Sequence, residues 1–114
     1  MIVRRVVEEL EARLQPPPGA ASPSAAKGKL ELKRYGDDRR RMKIKCRGLA
    51  LADGAAVELL NGKTVVALLE VRNGRAEIDE ERDAGADAPA LAVGDTVDLC
   101  HRGTVLLSGR LYLD

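Results

Sequence analysis

The chain has 114 residues, enough for one small domain, and its 45% hydrophobic and 32% charged residues are typical of a globular protein. No apolar stretch approaches the length of about 18 residues that a membrane-spanning helix needs. The sequence contains no Phe or Trp, two Tyr, two Cys and one His. Because His and Cys, which often perform catalysis, and aromatic side chains, which stack on nucleic-acid bases, are scarce or absent, we expect no enzyme and no cofactor.

Basic and acidic residues are concentrated in different parts of the chain. Residues 27–47 contain ten basic and three acidic side chains, whereas residues 77–98 contain one basic and eight acidic side chains. The formal net charge of the whole chain is only +1. This asymmetry predicts attraction between the two regions, either within one molecule or between neighbouring copies.

The first 15 residues predict an amphipathic helix over about residues 2–15. Its apolar side chains recur at helical spacing: Val3, Val6, Val7, Leu10 and Leu14. A helix this short is marginally stable in water. The apolar stripe therefore needs a surface to pack on, either its own domain or another protein, and we expect it to bind a protein, in particular another copy of the chain. The charges along this segment are unlike a secretory signal, which makes a cytoplasmic location the expectation.

Residues 16–27, PPPGAASPSAAK, predict a linker. Three successive prolines end the helix and hold the chain extended, and the small residues that follow add no apolar bulk. The sequence thus divides into a docking helix at 1–15, a linker at 16–27 and a folded domain at 28–114.

The domain at 28–114 predicts an all-β fold of six or seven antiparallel strands, closed into a sandwich or a partly open barrel. Apolar and charged residues alternate strictly around Ile44. The dipeptides Asn61-Gly62 and Asn73-Gly74 favour type I′ hairpin turns. The run 63–71 is apolar on both alternating sets, which predicts a central strand buried on both faces.

A hairpin of residues 29–35 and 40–47 would place six basic side chains on one outward face: Lys29, Lys33, Arg41, Lys43, Lys45 and Arg47. Three interpretations remain open. The stripe could follow a phosphate backbone, contact the acidic region of a neighbouring copy, or protect an edge hairpin from unwanted strand pairing.

The few reactive residues predict neither a catalytic nor a metal site. Cys46 and Cys100 fall on opposite alternating sets, so we expect free thiols rather than a disulfide. His101 follows Cys100 directly, and adjacent strand residues point to opposite faces, so the two cannot act as a base and its nucleophile. No zinc-ligand spacing is present, and the acidic residues of 77–98 lack the order of a calcium loop.

Three segments of the domain resemble a family of small uncharacterised bacterial all-β domains: NGKTVVALLEVRNGRAEID, DAPALAVGDTVDL and TVLLSGRLYL. The shared features are an Asn-Gly hairpin, a PALAVGD-type loop and a VLLSG-type closing strand. The matching positions are Lys29, Tyr35, Arg40, Asn61, Gly62, Pro89, Gly94, Asp95, Ser108 and Gly109. The resemblance implies a β-sandwich-like fold and carries over no active site.

Together these features predict a non-catalytic structural or interaction module. It would self-assemble or dock to a partner protein through its N-terminal helix and its opposed charged faces. The alternative is a nucleic-acid-binding β-domain that uses the basic hairpin 29–47.

Overall fold

The computed structural model describes residues 6–17, 26–36, 39–82 and 91–113. These residues form nine strands: β1 Val6–Leu14, β2 Lys27–Tyr35, β3 Arg40–Arg47, β4 Ala56–Asn61, β5 Thr64–Glu70, β6 Ala76–Arg82, β7 Thr96–His101, β8 Thr104–Arg110 and β9 Tyr112–Leu113. They make a five-stranded sheet in the order β6-β3-β2-β1-β9 and a four-stranded sheet in the order β5-β4-β7-β8. Every pairing is antiparallel. The all-β prediction is confirmed, and the two sheets are not closed into a barrel.

An aliphatic core fills the space between the two sheets. Strand β3 shows how the sequence builds it, because Ile44 and Cys46 are buried while Lys45 and Arg47 between and after them are exposed. Leucines supply most of the fully buried volume: Leu14, Leu30, Leu59, Leu99, Leu107 and Leu111. Burial of such side chains is the main favourable contribution to folding.

The prediction of an N-terminal helix is wrong for Val6–Leu14, which is strand β1. Leu10, Ala12 and Leu14 alternate into the core with exposed fractions of 3%, 0% and 0%. Strand β1 pairs with β2 on one side and with β9 on the other, so it lies inside the five-stranded sheet. Tertiary pairing has overridden a local pattern that also fits a helix.

The five residues predicted to carry docking are therefore separated. Leu10 and Leu14 pack in the core and are not available to a partner. Val6 and Val7 lie exposed at the start of β1, and Val3 lies outside the described residues. The segment 1–15 is accordingly no separate docking unit, because its described part belongs to the same sandwich as 28–114. Of the predicted linker, residues 18–25 lie outside the described residues, and its last residue, Lys27, already belongs to β2.

The two sheets meet where β8 approaches β1. Gln15 and Ser108 exchange two backbone hydrogen bonds, with N···O distances of 3.0 and 2.7 Å. Next to Ser108, Gly109 lies directly against the backbone oxygen of Arg13. Only a residue without a side chain fits at this approach. The chain then passes through the buried Leu111 into β9, which joins the opposite sheet.

The Asn-Gly dipeptides form turns in two different ways. Asn73 and Gly74 both have positive φ, at 52° and 72°, as a type I′ turn requires. In the other hairpin Asn61 pairs with Thr64, so the loop residues are Gly62 and Lys63, one position later than predicted. Only Gly62 has positive φ there, at 63°.

The predicted central strand is an edge strand. Among the described residues, strand β5, which covers most of the run 63–71, pairs with β4 alone and forms one border of the four-stranded sheet. Its Leu68 is 68% exposed. The pattern of apolar residues along a strand shows which of its faces are apolar. The position of the strand in a sheet depends instead on pairings with segments that are distant in sequence.

Candidate interaction surface

The outer face of the five-stranded sheet carries the predicted basic stripe. Lys29 and Lys33 on β2 alternate with the buried Leu30, and the basic residues of β3 alternate with Ile44 and Cys46. All six basic side chains therefore share this face: Lys29, Lys33, Arg41, Lys43, Lys45 and Arg47. The predicted hairpin and its common face are present.

Acidic strands border this stripe on both sides. Strand β1 supplies Glu9 and Glu11 beside β2, and strand β6 supplies Glu77, Asp79 and Glu81 beside β3. The ion pairs across the strand borders include Lys29–Glu11 at 3.3 Å, Lys33–Glu9 at 3.8 Å and Arg41–Asp79 at 2.7 Å. The opposite charges of the two sequence regions thus meet within one molecule, in neighbouring strands.

The best-formed of these pairs is bidentate. Arg41 donates from Nε to Asp79 Oδ1 at 2.8 Å and from Nη2 to Asp79 Oδ2 at 2.7 Å. These hydrogen bonds hold the pKa of Asp79 below its ordinary value, and they raise the pKa of Arg41. Lys29 has a raised pKa through its hydrogen bonds to Glu31 and Glu11.

We expect Arg41→Gln to return the pKa of Asp79 toward the ordinary aspartate value of about 3.9. Because the folded pKa is lowered, the stability that this pair contributes is present above the unfolded pKa and is lost as the pH falls through the folded pKa. A carboxyl titration by NMR of both proteins measures the shift. An Asp79 pKa that Arg41→Gln leaves unchanged would contradict the bidentate geometry.

The thiols and the histidine occupy structural positions. Cys46 faces the core, and burial raises its pKa to about 11. Cys100 lies opposite Glu58 of β4, on the face of the four-stranded sheet that points away from the core. The pKa of Cys100 is raised chiefly by burial and then by the charge of Asp98. Both thiols are free. His101 ends β7, with Nδ1 at 3.0 Å from the carbonyl oxygen of Ala56.

Among the described residues, no cluster of three or more His, Cys, Asp or Glu could hold a metal ion. A depression of about 40 Å³ lies on the outer face of the five-stranded sheet, between Glu31, Lys33, Arg41 and Lys43. This volume accommodates only a few water molecules. Small-molecule sites are much larger, at roughly 300–1,000 Å³.

Strand β5 leaves its outer backbone edge open. Within residues 39–82 and the other described ranges, Thr64–Glu70 has no backbone partner besides β4. The strands at the three other sheet borders have features that discourage the addition of another strand. Strand β6 carries acidic side chains, β9 has only two residues, and the border of β8 is bonded to Gln15.

The side chains next to this open edge are apolar. Strand β5 has the sequence TVVALLE, with Glu70 as its single charge. On its outer side Val65 is 44% and Leu68 is 68% exposed, and half-buried Leu60 pairs with Val65 from β4. We call the edge of β5 together with Leu60, Val65 and Leu68 the β5 surface.

The sequence contained a signal for this surface, although it predicted the wrong position in the sheet. A run that is apolar on both alternating sets is typical of a strand whose two faces are both covered. Among the described residues β5 pairs with one strand, and its outward face carries the exposed Val65 and Leu68. The strand is therefore more apolar than its edge position requires.

Neither the protein-family models nor the curated proteins compared with the chain match it. In the residues that the structure describes, no helix has the length and apolarity needed to cross a bilayer.

Proposed function

We propose that this protein is a non-catalytic interaction module that binds a protein strand at the β5 surface. The observation that supports the proposal is an apolar seven-residue strand with an open edge and a leucine that is 68% exposed beside it. An extended segment that adds to such an edge gains backbone hydrogen bonds, and exposed apolar side chains next to it provide burial. Val6–Leu14 contributes strand β1 to the five-stranded sheet.

The charged outer face of the five-stranded sheet is better suited to orienting a partner or to keeping the protein soluble than to binding nucleic acid. The basic side chains of 29–47 lie between the acidic side chains of β1 and those of β6, and several are engaged in ion pairs. This arrangement lowers the positive potential that a phosphate backbone requires. No aromatic platform comes from Phe or Trp, which the sequence lacks.

Nucleic-acid binding is the second candidate, favoured only by Lys43, Lys45 and Arg47, which have no ion pair within 4 Å among the described residues. Titration of labelled single-stranded DNA over a salt series separates the two candidates, since phosphate binding weakens steeply with salt. Membership in the bacterial all-β family that the sequence resembles and a cytoplasmic location are parts of the same proposal.

The β5 surface is tested with a soluble peptide of about ten residues that alternates valine and threonine between terminal lysines. We expect an excess of this peptide to slow amide exchange and shift amide resonances within Thr64–Glu70 of the isotope-labelled full chain, because added backbone hydrogen bonds protect those amides.

The matched control compares two exposed leucines. Leu68→Lys places a charge on the β5 surface, whereas Leu113→Lys changes a leucine of nearly equal exposure, 64% against 68%, on β9. Peptide protection should disappear in the first variant and persist in the second. In a chain that is monomeric at the concentration used, no added protection of β5 amides, or equal protection in Leu68→Lys, would overturn the proposal.

A further inference from the structure

We infer that the partner at the β5 surface is a second copy of this chain, whose own β5 pairs antiparallel with the first around a two-fold axis. This inference rests on the proposed function and specifies its partner. The two four-stranded sheets would then form one continuous sheet of eight strands. Three properties of β5 support self-pairing over an unrelated strand.

The first property is the pattern of side chains along β5 that point toward the core or away from it. The register between β4 and β5 shifts between Leu59 and Leu60, so one extra residue is accommodated in β5. As a result Val66 and Ala67 are both buried in the core, and Val65 and Leu68 on either side of them are exposed. The pattern outward, inward, inward, outward is the same from either end.

A pattern of this kind fits antiparallel pairing with an identical strand. Residues that lie opposite each other in an antiparallel pair share a face of the sheet. With the axis between Val66 and Ala67, Val65 of one copy lies opposite Leu68 of the other, and the same pair occurs a second time by symmetry. The exposed apolar side chains then cover one another.

The second property is the charge at each end of the strand. Lys63 precedes β5 and Glu70 ends it. Antiparallel pairing about the same axis places Lys63 of one copy opposite Glu70 of the other, twice in the dimer. A parallel arrangement would place like charges together, which is unfavourable across strands. The ends of β5 therefore complement those of its own copy in one orientation only.

The third property is the apolar composition of the strand. In one chain, TVVALLE lies at the border of a sheet that leaves Leu68 exposed. In the dimer β5 becomes a central strand, and cross-strand side chains of the second copy cover part of Val65 and Leu68 on its outward face, which the apolar composition of the strand favours. An open edge of this kind, left unpaired, is also a site for uncontrolled association.

The mass of the full chain in solution, measured by sedimentation equilibrium over a concentration series, tests the inference. We expect a reversible dimer. Leu68→Lys should weaken it by about tenfold or more, because it removes two apolar cross-strand pairs, and Leu113→Lys should leave it unchanged. Circular dichroism shows whether both variants keep the β fold. A dimer that Leu68→Lys leaves intact would overturn the inference.

A charge exchange tests the orientation. Lys63→Glu and Glu70→Lys should each weaken the dimer by at least about threefold, since each places like charges opposite each other twice. The double variant should regain most of the lost affinity. Because Glu70 also forms an ion pair with Arg72 in its own chain, at 2.6 Å, the affinity of the double variant, compared with each single variant, is the informative quantity. Failure of the double variant to recover would exclude the antiparallel arrangement.

Different results would contradict the self-pairing and the proposed strand-binding function. A chain that stays monomeric at all concentrations while the valine–threonine peptide protects β5 overturns self-pairing and leaves the strand-binding function standing. A monomer whose β5 the peptide does not protect overturns both. A dimer that Leu68→Lys dissociates supports both.

Discussion

Replacing Gly109 with alanine should lower the free energy of unfolding by about 1–3 kcal/mol or more, the cost of forcing an added group into a filled space. A β-carbon at this position would overlap the backbone oxygen of Arg13 and lie 2.9 Å from Leu14 Cδ2. The oxygen cannot move aside without displacing β1 and stretching the hydrogen bonds between Gln15 and Ser108. Urea unfolding followed by circular dichroism measures the loss.

Gly28 provides the comparison for this substitution. A β-carbon at Gly28 would lie 2.7 Å from Cys46 Sγ, a side-chain atom. Combining Gly28→Ala with Cys46→Ala should therefore recover part of the stability. Combining Gly109→Ala with Leu14→Ala should not, because the backbone oxygen remains. If Gly109→Ala stays within about 0.5 kcal/mol of the wild type, the range of ordinary surface substitutions, β8 does not approach β1 this closely.

Replacing Leu14 with alanine should lower the free energy of unfolding by about 2–5 kcal/mol, because it removes a fully buried side chain from the core. Val7→Ala is the matched substitution, since both residues belong to the apolar stripe of the predicted helix. Val7 is 47% exposed, so its replacement should change the stability by no more than about 0.5 kcal/mol. Urea unfolding of the two variants distinguishes the strand from a helix.

Ala12 provides a second test that distinguishes a strand from a helix at Val6–Leu14. On a helix it would lie off the apolar stripe, where lysine is tolerated. In β1 it is 0% exposed and pairs with Leu30, so Ala12→Lys should destabilise the sandwich severely by burying a charge without a partner. Equal unfolding free energies for Ala12→Lys and the wild type would contradict a strand at Val6–Leu14.

Much of the fold could be predicted where a strand and its turn are local. The alternation around Ile44 identifies β3 because no other regular structure has a period of two. Asn73-Gly74 specifies its hairpin because both residues tolerate positive φ. The shared face of the basic residues in 29–47 follows from the same alternation, once β2 and β3 are joined as a hairpin.

The N-terminal strand could not be identified in this way because its few apolar residues fit two periods. Leu10 and Leu14 are four apart, which suits one face of a helix and also one face of a strand. Ala12 between them decides the matter, and a small residue gives little signal in either pattern. The deciding interaction is the pairing of β1 with β2 and β9, which no local window contains.

The position of each strand in its sheet was equally beyond local inference. The acidic β6 lies beside the basic β3, and Arg41 bonds to a residue 38 positions away. Composition predicted attraction between the two regions but not whether it acts within a molecule. The same limit applies to β5, whose apolar sequence predicts a central strand, whereas the described residues place it at a border of its sheet.

The pairing of β1 with β9 has a consequence for how the protein folds during synthesis. Leu10 lies opposite Leu113, so the two strands leave the ribosome about a hundred residues apart. Contacts between such distant positions form late, because closing a long loop costs entropy before any contact repays it. The nascent chain therefore carries β1 with this border unpaired until β9 emerges, and we expect the five-stranded sheet to be completed late in folding.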